Sequence, residues 1–327
     1  MKNNKNILSA ILVFTLIATG IYSCSDEFLD ETENYNIDSE NFFNSEEDYY
    51  LALVGAYDLL QASYVNVLLG EIASDNTLCG GESATDVVGF QQIDDMGHTE
   101  VNSNLRDIWS WMFAGVSRTN YFLENQNKTA FDGRDAMVAE ARFLRAYYHF
   151  ELVKWFGGIP IKNYDAALAG AGERFVPGDE LSIPRSSVAE VYALIESDLI
   201  YAVNNLEYTA PQVGRVTKGA AEALLGKAYL YQNKFTEAAT VLDNVINNGP
   251  YDLALDYATI FESGGENNVE SVFEVQYTDA EGAGFGCLQC SEGNVAVGFN
   301  GIRNYSGPTF DSGYSFNVPT QEAVDAF

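Results

Sequence analysis

Residues 218–250 constrain the fold more strongly than any other stretch of this chain. Their small and apolar residues fall at the spacings of a tetratricopeptide repeat, a pair of antiparallel helices: Leu225, Gly226, Tyr229, Phe235, Ala238, Leu242, Val245 and Pro250. Gly226 and Ala238 are small where two helices press together, and Pro250 ends the second helix. Glu222 replaces the usual tryptophan of the pattern. Because one such pair cannot bury its apolar face alone, the pattern predicts further helix pairs stacked against it.

Capping signals and helical spacing predict further helices. Two capping boxes, Ser45–Asp48 and Ser187–Glu190, each mark a helix start. A helix is also predicted over about 105–125. Residues 134–156 form a helix that is apolar most of the way round and should be buried among other helices. With the helix over 187–206 they indicate a second pair with a long insert. The predicted fold class is therefore mostly α, a tetratricopeptide-like scaffold of helical pairs.

Two regions have a different composition and are predicted to be loops lying over the helices. Residues 74–104 are polar and glycine-rich, and residues 279–317 are rich in Gly, Asn, Ser and aromatic residues without a helical period. Ser271–Tyr277 is a strand-like run, and Thr320 is predicted to cap a last helix. The scaffold should therefore carry a loop-rich region containing short strands.

The amino terminus is predicted to be an export signal over residues 1–23. Its apolar run, Ile7–Ile21, has roughly fifteen residues, fewer than the ~20 that span a bilayer. The residues before Cys24 resemble the lipid-attachment box of bacterial lipoproteins, in which the cysteine is acylated, although Tyr22 is bulky for that box. The alternative is a signal peptide with an incidental cysteine. Residues 24–41 are predicted to be an acidic tether, and their acids resemble the surface-export signal of Bacteroidetes-type lipoproteins.

The charge of the chain argues against nucleic acid as a partner. The chain carries 47 acidic and 17 basic residues, a net charge of −30, and would repel phosphates. No motif of a serine hydrolase, a zinc protease or a phosphate-binding loop is present. Cys287 and Cys290 have CxxC spacing, but no second pair completes a metal site, and their state and that of Cys79 stay open. The sequence predicts no enzyme, metal or cofactor, with a glycoside hydrolase as a distant alternative because acid pairs are abundant.

A series of ordered segments covers nearly the whole chain. The most specific is "EARFLRAYYHFELVKWFGGIP" at residues 140–160. The others are "DEFLDE" after Cys24, "LALVGAYDLL", "RSSVAEVYALIESDL", "GRVTKGAAEALLGKAYLY", "SVFEVQY" and "PTQEAVDAF". With these segments the chain resembles the SusD/RagB family of outer-membrane nutrient-binding lipoproteins. Members usually continue well beyond the last segment, so the SusD-like helical domain, 42–327, is expected to be incomplete at its carboxyl end.

The resemblance implies a function and partners. It implies a glycan-binding lipoprotein, lipid-anchored on the outer face of the outer membrane, that delivers oligosaccharides to a SusC-like TonB-dependent transporter. Some relatives take peptides instead of glycans, so a peptide ligand is an alternative. A tetratricopeptide adaptor that binds the transporter but no small ligand is another.

Candidate ligand-binding residues follow from the chemistry of a sugar. A glycan binder needs exposed aromatic rings for the C–H faces of the sugar, and amides or carboxylates for its hydroxyls. The two loop regions supply this mixture: Asp75, Asn76 and Gln91 in the first, and Phe299, Asn304 and Tyr305 in the second. Trp111 is added because Trp109 lies on an apolar stripe, whereas Trp111 points elsewhere. The alternative is that the polar residues cap turns and the aromatic rings close a small core.

Overall fold

The helices lie close to where the sequence places them. The computed structural model describes residues 42–161, 183–262, 264–278, 293, 296–308 and 312–326. The predicted signal peptide, Cys24, the tether, Cys287 and Cys290 lie outside the described residues. In chain order the described helices are α1 (Glu46–Tyr57), α2 (Ser63–Ile72), α3 (Val88–Asp94), α4 (Ser103–Glu124), α5 (Arg134–Phe156), α6 (Val188–Asn205), α7 (Lys218–Tyr231), α8 (Phe235–Asn248), α9 (Ala296–Asn300) and α10 (Gln321–Asp325). Short 3-10 turns occupy Asp58–Ala62 and Tyr257–Phe261.

Both predicted capping boxes are confirmed. At the start of α1, the Ser45 hydroxyl accepts from the Asp48 amide at 3.3 Å, and the Asp48 carboxylate accepts from the Ser45 amide at 3.0 Å. At the start of α6, Ser187 and Glu190 make the same pair of contacts, at 3.3 and 2.7 Å. Each box satisfies two backbone N–H groups that the helix itself leaves without partners.

The helices stack in a row along the chain. α4 packs on α5, α5 on α6, α6 on α7 and α7 on α8, while α1 contacts both α4 and α5. At the crossing of α7 and α8, a Cβ placed on Gly226 would come within 2.6 Å of the Leu242 side chain, and Ala238 is buried. The small residues of the repeat pattern therefore permit this close approach. A mostly helical fold with a tetratricopeptide-like scaffold is confirmed.

The stretch Glu46–Ile72 is apolar enough to resemble a membrane span by length and composition alone, with a mean hydropathy of 1.3 in its most apolar window. Half of that window is buried inside the fold. The 3-10 turn at Asp58–Ala62 separates α1 from α2, and Leu53 and Leu69 pack in the core. Burial in the core therefore accounts for its apolar composition.

Helix α5 is buried as predicted, but its buried face also carries charge. The Arg145 guanidinium donates to both carboxylate oxygens of Asp198 on α6, at 2.7 and 2.8 Å. It also donates to the Asn120 amide oxygen on α4 at 3.0 Å. Arg142 contacts the same Asp198 carboxylate at 3.4 Å. One buried ionic network therefore joins the three central helices.

A second charged pair fastens α5 to the chain before α7. The Glu140 carboxylate accepts from Arg215 at 2.8 and 2.6 Å and from the Tyr57 hydroxyl at 2.5 Å. The Tyr57 oxygen in turn accepts from the Val216 amide at 2.9 Å. Burial, followed by the nearby Glu140 carboxylate, raises the pKa of Tyr57. The tyrosine therefore stays protonated and links α1, α5 and the Arg215 segment.

The loop-rich regions hold less strand and more helix than the sequence predicts. The strand prediction for Ser271–Tyr277 is wrong, because this run has no strand partner among the described residues. Its side chains pack on the scaffold instead: the Phe273 ring lies 5.8 Å from that of Phe143, and the Tyr277 hydroxyl donates to a backbone oxygen on the Asp58–Ala62 turn at 2.9 Å. The described strands, β1 (Thr77–Leu78) and β2 (Val318–Pro319), pair antiparallel.

Helix α3 lies within the region predicted to be loop. It starts after Val87, which has a positive φ of 41° and makes no side-chain cap. The start therefore lacks the capping residue by which a helix is recognised in a sequence. Phe90 and Ile93, three residues apart, are both buried and hold the helix on the fold.

Candidate ligand-binding surface at the loop junction

The structure brings the two predicted loop regions together. β1 pairs with β2 so that Thr77 lies opposite Pro319 and Leu78 opposite Val318. The Thr320 amide donates to the Asn76 carbonyl at 2.9 Å, and the Thr320 hydroxyl accepts from the Ala323 amide at the start of α10. We call the described residues of 74–92 and 296–320 the loop junction. The prediction of a cap at Thr320 is confirmed.

Aromatic rings form the base of the loop junction. Phe90 lies with its ring centroid 6.3 Å from that of Phe299 and 6.0 Å from that of Phe316. Tyr64 on α2 contacts Phe299 from the scaffold at 6.2 Å. Phe299 is 1% exposed, so it cannot present its ring to a ligand in this arrangement. Its placement among exposed candidate residues is corrected: here the aromatic residues do close a small core.

Arg303 clamps the two halves of the junction. Its guanidinium donates to the Asp86 carboxylate at 3.0 Å, lies 3.8 Å from Glu82, and donates to the Tyr314 backbone oxygen at 3.3 Å. It also lies over the Phe316 ring at 5.8 Å. Asp86 and Arg303 are separated by 217 positions. A charge-assisted contact of this kind fixes the position of both loops.

Close backbone contacts hold the same two loops together. A Cβ at Gly80 would come within 2.2 Å of the Ser315 backbone oxygen, so only glycine fits there. The neighbouring Cys79 is a free thiol, and its amide donates to the Asp94 carboxylate at 3.2 Å. Burial, followed by the Asp94 charge, raises the pKa of this thiol to about 11. The thiol is therefore protonated at neutral pH and is not a nucleophile.

The first group of predicted site residues occupies the edge of the junction. Asp75 and Asn76 are exposed, and their backbone oxygens accept from the Thr320 side chain at 3.2 Å. Gln91 is half-buried on α3, and its amide donates to the Ser83 carbonyl at 3.0 Å, which closes the turn between them. Asp75 and Asn76 are thus placed where a ligand could reach them, whereas the amide donor of Gln91 has an internal partner.

The second loop region presents two tyrosine rings, of which Tyr305 is predicted from the sequence as a site residue and Tyr314 is not. Asn304 is exposed with a left-handed φ of 59°, and its backbone N–H donates to the Ser312 hydroxyl at 2.7 Å. Tyr305 and Tyr314 are each 38% exposed. The Tyr314 ring stacks on Phe316 with a centroid distance of 5.5 Å and an angle of 22° between the rings. The junction therefore supplies partly exposed rings beside amide and carboxylate groups.

The two tryptophans of α4 have the opposite orientation from the predicted one. Trp111 is 9% exposed and packs in the core, so its selection as a surface residue is corrected. Trp109 is half-buried and lines an open cavity with Trp155 and Arg185. Helical spacing places the two side chains on different faces, but which face is covered depends on the neighbouring elements.

The contacts that hold the junction together are not predicted from the sequence. Arg303 and Asp86 lie in polar stretches where single charges are usually solvated, and only their contact distinguishes them. Tyr314 lies in a glycine-rich stretch without a periodic pattern. The one signal in the sequence is the spacing of Tyr314 and Phe316 two positions apart, which allows one ring to pack against the other.

The described chain combines a scaffold of stacked helical pairs with loops that the β1–β2 pairing and the Arg303–Asp86 contact hold together. The family model described as starch-binding associating with outer membrane, SusD-like, matches residues 27–230, which is more than half of the chain. The chain therefore belongs to the SusD-like family. This confirms the resemblance that its ordered sequence segments indicate.

Individual relatives agree with this membership. SusD-like protein P25 of Formosa agariphila is 24% identical over 288 residues, covering 82% of this chain and 51% of the relative. A SusD-like protein of Bacteroides ovatus is 25% identical over 287 residues, covering 82% and 50%. The chain thus spans about half the length of these curated relatives. A solved laminarin-binding SusD-like protein is 31% identical with a TM-score of 0.78, covering 86% of this chain and 64% of that one.

Proposed function

We propose that this protein is a cell-surface glycan-binding lipoprotein that captures oligosaccharides at the loop junction and delivers them to a TonB-dependent outer-membrane transporter. Cys24 carries the lipid anchor, and the acidic tether separates the anchor from the helical domain. The chain itself holds the glycan without changing it. A SusC-like transporter is the partner that receives the ligand.

The observation that carries this proposal is the clamp at Arg303. Loops far apart in the chain are fastened by the Arg303–Asp86 contact, by β1–β2 pairing and by a buried aromatic base. A surface that is fixed before binding loses less conformational entropy when a ligand is captured. This matters for an oligosaccharide, because each of its many hydroxyl groups contributes only a weak contact.

The exposed groups of the junction suit a sugar. The half-exposed rings of Tyr305 and Tyr314 can contact the C–H face of a pyranose. The exposed side chains of Asp75, Asn76 and Asn304 can exchange hydrogen bonds with its hydroxyl groups. The laminarin-binding SusD-like relative supports a glucan as the first ligand to try.

Ligand binding by the mature chain tests the proposal. Laminarin is the first probe in a panel of neutral polysaccharides, and affinity electrophoresis or calorimetry gives the dissociation constant. Tyr314→Ala and Tyr305→Ala should each weaken binding by about fivefold, since a ring contact contributes about 1 kcal/mol. Tyr257→Ala is the matched control, because Tyr257 is 73% exposed outside the junction. A wild-type chain that binds no member of the panel contradicts the proposal.

The same assay separates the alternatives. A peptide-binding relative would bind members of a peptide library and none of the glycans. An adaptor would copurify with the transporter yet bind neither class of small ligand. A glycoside hydrolase would release shorter products from a bound polysaccharide, which chromatography of the supernatant would detect.

A further inference from the structure

The cavity lined by Trp109 has a volume of about 660 Å³ and opens where α4 begins and α5 ends. It lies beside the loop junction but outside it, and none of the ligand-binding residues predicted from the sequence lines it. The lining residues that matter for its chemistry are Glu100, Arg106, Trp109, Trp155, Phe156 and Arg185. We call this cavity the tryptophan groove. Its size falls in the range of cavities that hold small ligands.

Aromatic rings form one wall of the tryptophan groove. Two of the three tryptophans of the chain, Trp109 and Trp155, line it and are half-buried. The Trp109 ring is held edge-on by Phe156 at 5.1 Å and contacts Phe113 at 4.7 Å. These contacts fix the orientation of a broad indole face, which is the kind of surface on which a sugar ring or another flat group stacks.

An arginine is fixed against this wall. Arg185 Nη1 donates to the backbone oxygens of Phe156 at 3.0 Å and Gly158 at 2.9 Å. The guanidinium lies 5.7 Å from the centre of the Trp109 ring. Its Nε and Nη2 donors have no partner within the described part of the chain. A guanidinium held by one nitrogen keeps its remaining donors for an incoming acceptor.

The charge of the tryptophan groove contrasts with that of the chain. Arg106 and Arg185 line it, and Glu100 is the carboxylate among its lining residues. Arg106 is exposed and contacts its neighbour Asp107 at 3.3 Å, a surface pair that holds the arginine only weakly. In a protein with a net charge of −30, a concave surface with two arginines favours an anionic group in a way that its surroundings do not.

We propose that the tryptophan groove binds an oligosaccharide that carries an anionic group, a carboxylate or a sulfate. The sugar ring stacks on the indole wall, while the anion pairs with Arg185 and Arg106. Carboxylate and sulfate offer the same oxygen acceptors to a guanidinium. The assignment does not rest on neutral glycan binding at the loop junction, and either site can fail alone.

Tryptophan fluorescence of the mature chain reports on this groove, because Trp109 and Trp155 line it, whereas the third tryptophan, Trp111, is buried in the core and does not line it. Tri-galacturonate is the carboxylate probe, neocarrabiose sulfate is the sulfate probe, and laminaritriose is the neutral comparison. At least one anionic probe should shift the emission and bind at least about tenfold more tightly than laminaritriose. Arg106→Gln and Trp155→Ala should each weaken that binding by about tenfold.

Arg134→Gln is the matched control for Arg106→Gln. Like Arg106, Arg134 lies in the first turn of a helix and contacts the next residue, here Asp135 at 3.2 Å, but it does not line the tryptophan groove. It should leave the affinity for the anionic probe unchanged. Because Arg106 is exposed, its substitution tests the site even where Trp155→Ala fails to fold.

Several outcomes would overturn the proposal. One is that neither anionic probe binds. A second is that an anionic probe binds but Arg106→Gln leaves its affinity unchanged. A third is that Tyr314→Ala removes this binding while Trp155→Ala does not, which would place the anionic ligand at the loop junction. Binding of hexaglutamate with the same dependence on Arg106, without binding of either saccharide, would replace the sugar by an acidic peptide.

Discussion

At the residue scale, the buried carboxylate of Asp198 forms ion pairs with two arginine side chains at once. Arg145 contacts it in a bidentate manner, and Arg142 contacts one of the same oxygens. Charges removed from water are costly unless they are paired and hydrogen-bonded. The network therefore fixes how α4, α5 and α6 fit together, and its parts depend on one another.

Asp198→Asn should destabilise the fold by about 3 kcal/mol, because it leaves buried arginine charge without a carboxylate. The free energy of unfolding from urea titration measures this. Asp135→Asn, at an exposed ion pair with Arg134, is the control and should change it by less than about 0.5 kcal/mol. Equal effects of the two substitutions would show that the buried network does not contribute as argued.

His149 is buried in α5 as a core histidine. Its Nδ1 lies 2.9 Å from the Arg145 backbone oxygen. Burial, followed by the nearby Arg145 charge, lowers the pKa of His149 from 6.5 to about 4. The imidazole is therefore neutral in the folded protein at neutral pH and is not poised for acid–base catalysis.

This lowered pKa predicts an acid-sensitive fold. The unfolded chain binds a proton at His149 below about pH 6.5, whereas the folded chain binds it only near pH 4. The free energy of unfolding therefore falls as the pH drops from about 6.5 to about 4. In His149→Leu, the decrease in the free energy of unfolding between about pH 6.5 and pH 5 should be smaller than in the wild type by about 2 kcal/mol. Urea titrations at the two pH values measure it.

Phe150→Leu is the control for His149→Leu. Phe150 is buried beside it on the same helix, so its truncation removes packing but no titrating group. This variant should be less stable at both pH values yet retain the pH dependence of the wild type. The same pH dependence in His149→Leu as in the wild type would contradict the role of the histidine.

At the element scale, α4 and α5 approach one another at a single glycine. A Cβ at Gly115 would lie 2.5–2.6 Å from three atoms of the Tyr148 ring. That ring is fully buried, and its hydroxyl donates to the Ala56 backbone oxygen at 2.6 Å, so it cannot move aside without losing the contact. The distance between the two helices is therefore set by the absence of a side chain at position 115.

Gly115→Ala should lower the free energy of unfolding by about 2 kcal/mol, because the added methyl group overpacks this crossing. Gly70→Ala makes the same chemical change on the exposed face of α2, where no atom lies within 4 Å. It should raise stability by about 0.5 kcal/mol through its higher helix propensity. Thermal or urea denaturation of the two variants checks the opposite signs, and a shared sign would contradict the packing argument.

Elements with strong local signals were predicted well, and elements without them were not. The starts of α1 and α6 follow from capping boxes that involve residues three positions apart. Helix α3 has no such cap, and the run 271–277 has the composition of a strand but no partner among the described residues. A strand forms only when a second segment pairs with it, and the composition of one segment does not show whether such a partner exists.

At the scale of the whole molecule, a strongly acidic protein is proposed to stay at a membrane surface that would otherwise repel it. The net charge of −30 gives no attraction to an anionic bilayer. A covalent lipid at Cys24 would supply the attachment, since each buried CH₂ contributes about 0.8 kcal/mol and more than one acyl chain makes it stable.

Cys24→Ala should move the protein from the membrane fraction to the soluble fraction of fractionated cells. Cys79→Ala is the matched control, because Cys79 is a free, half-buried thiol at the loop junction and should leave the distribution unchanged. Immunoblots of both fractions measure the distribution. Retention of Cys24→Ala in the membrane fraction would contradict attachment through this residue.

The sequence by itself determined the helical-pair scaffold, the capped starts of α1 and α6 and the family, because periodicity and caps join residues within one or two turns of a helix. It also placed Trp109 and Trp111 on different faces of α4. Only the tertiary structure decided that Trp111 is buried and Trp109 faces a cavity, and that Arg303 meets Asp86 across 217 positions. Those outcomes depend on which distant segments cover each face, and no local spacing encodes such a contact.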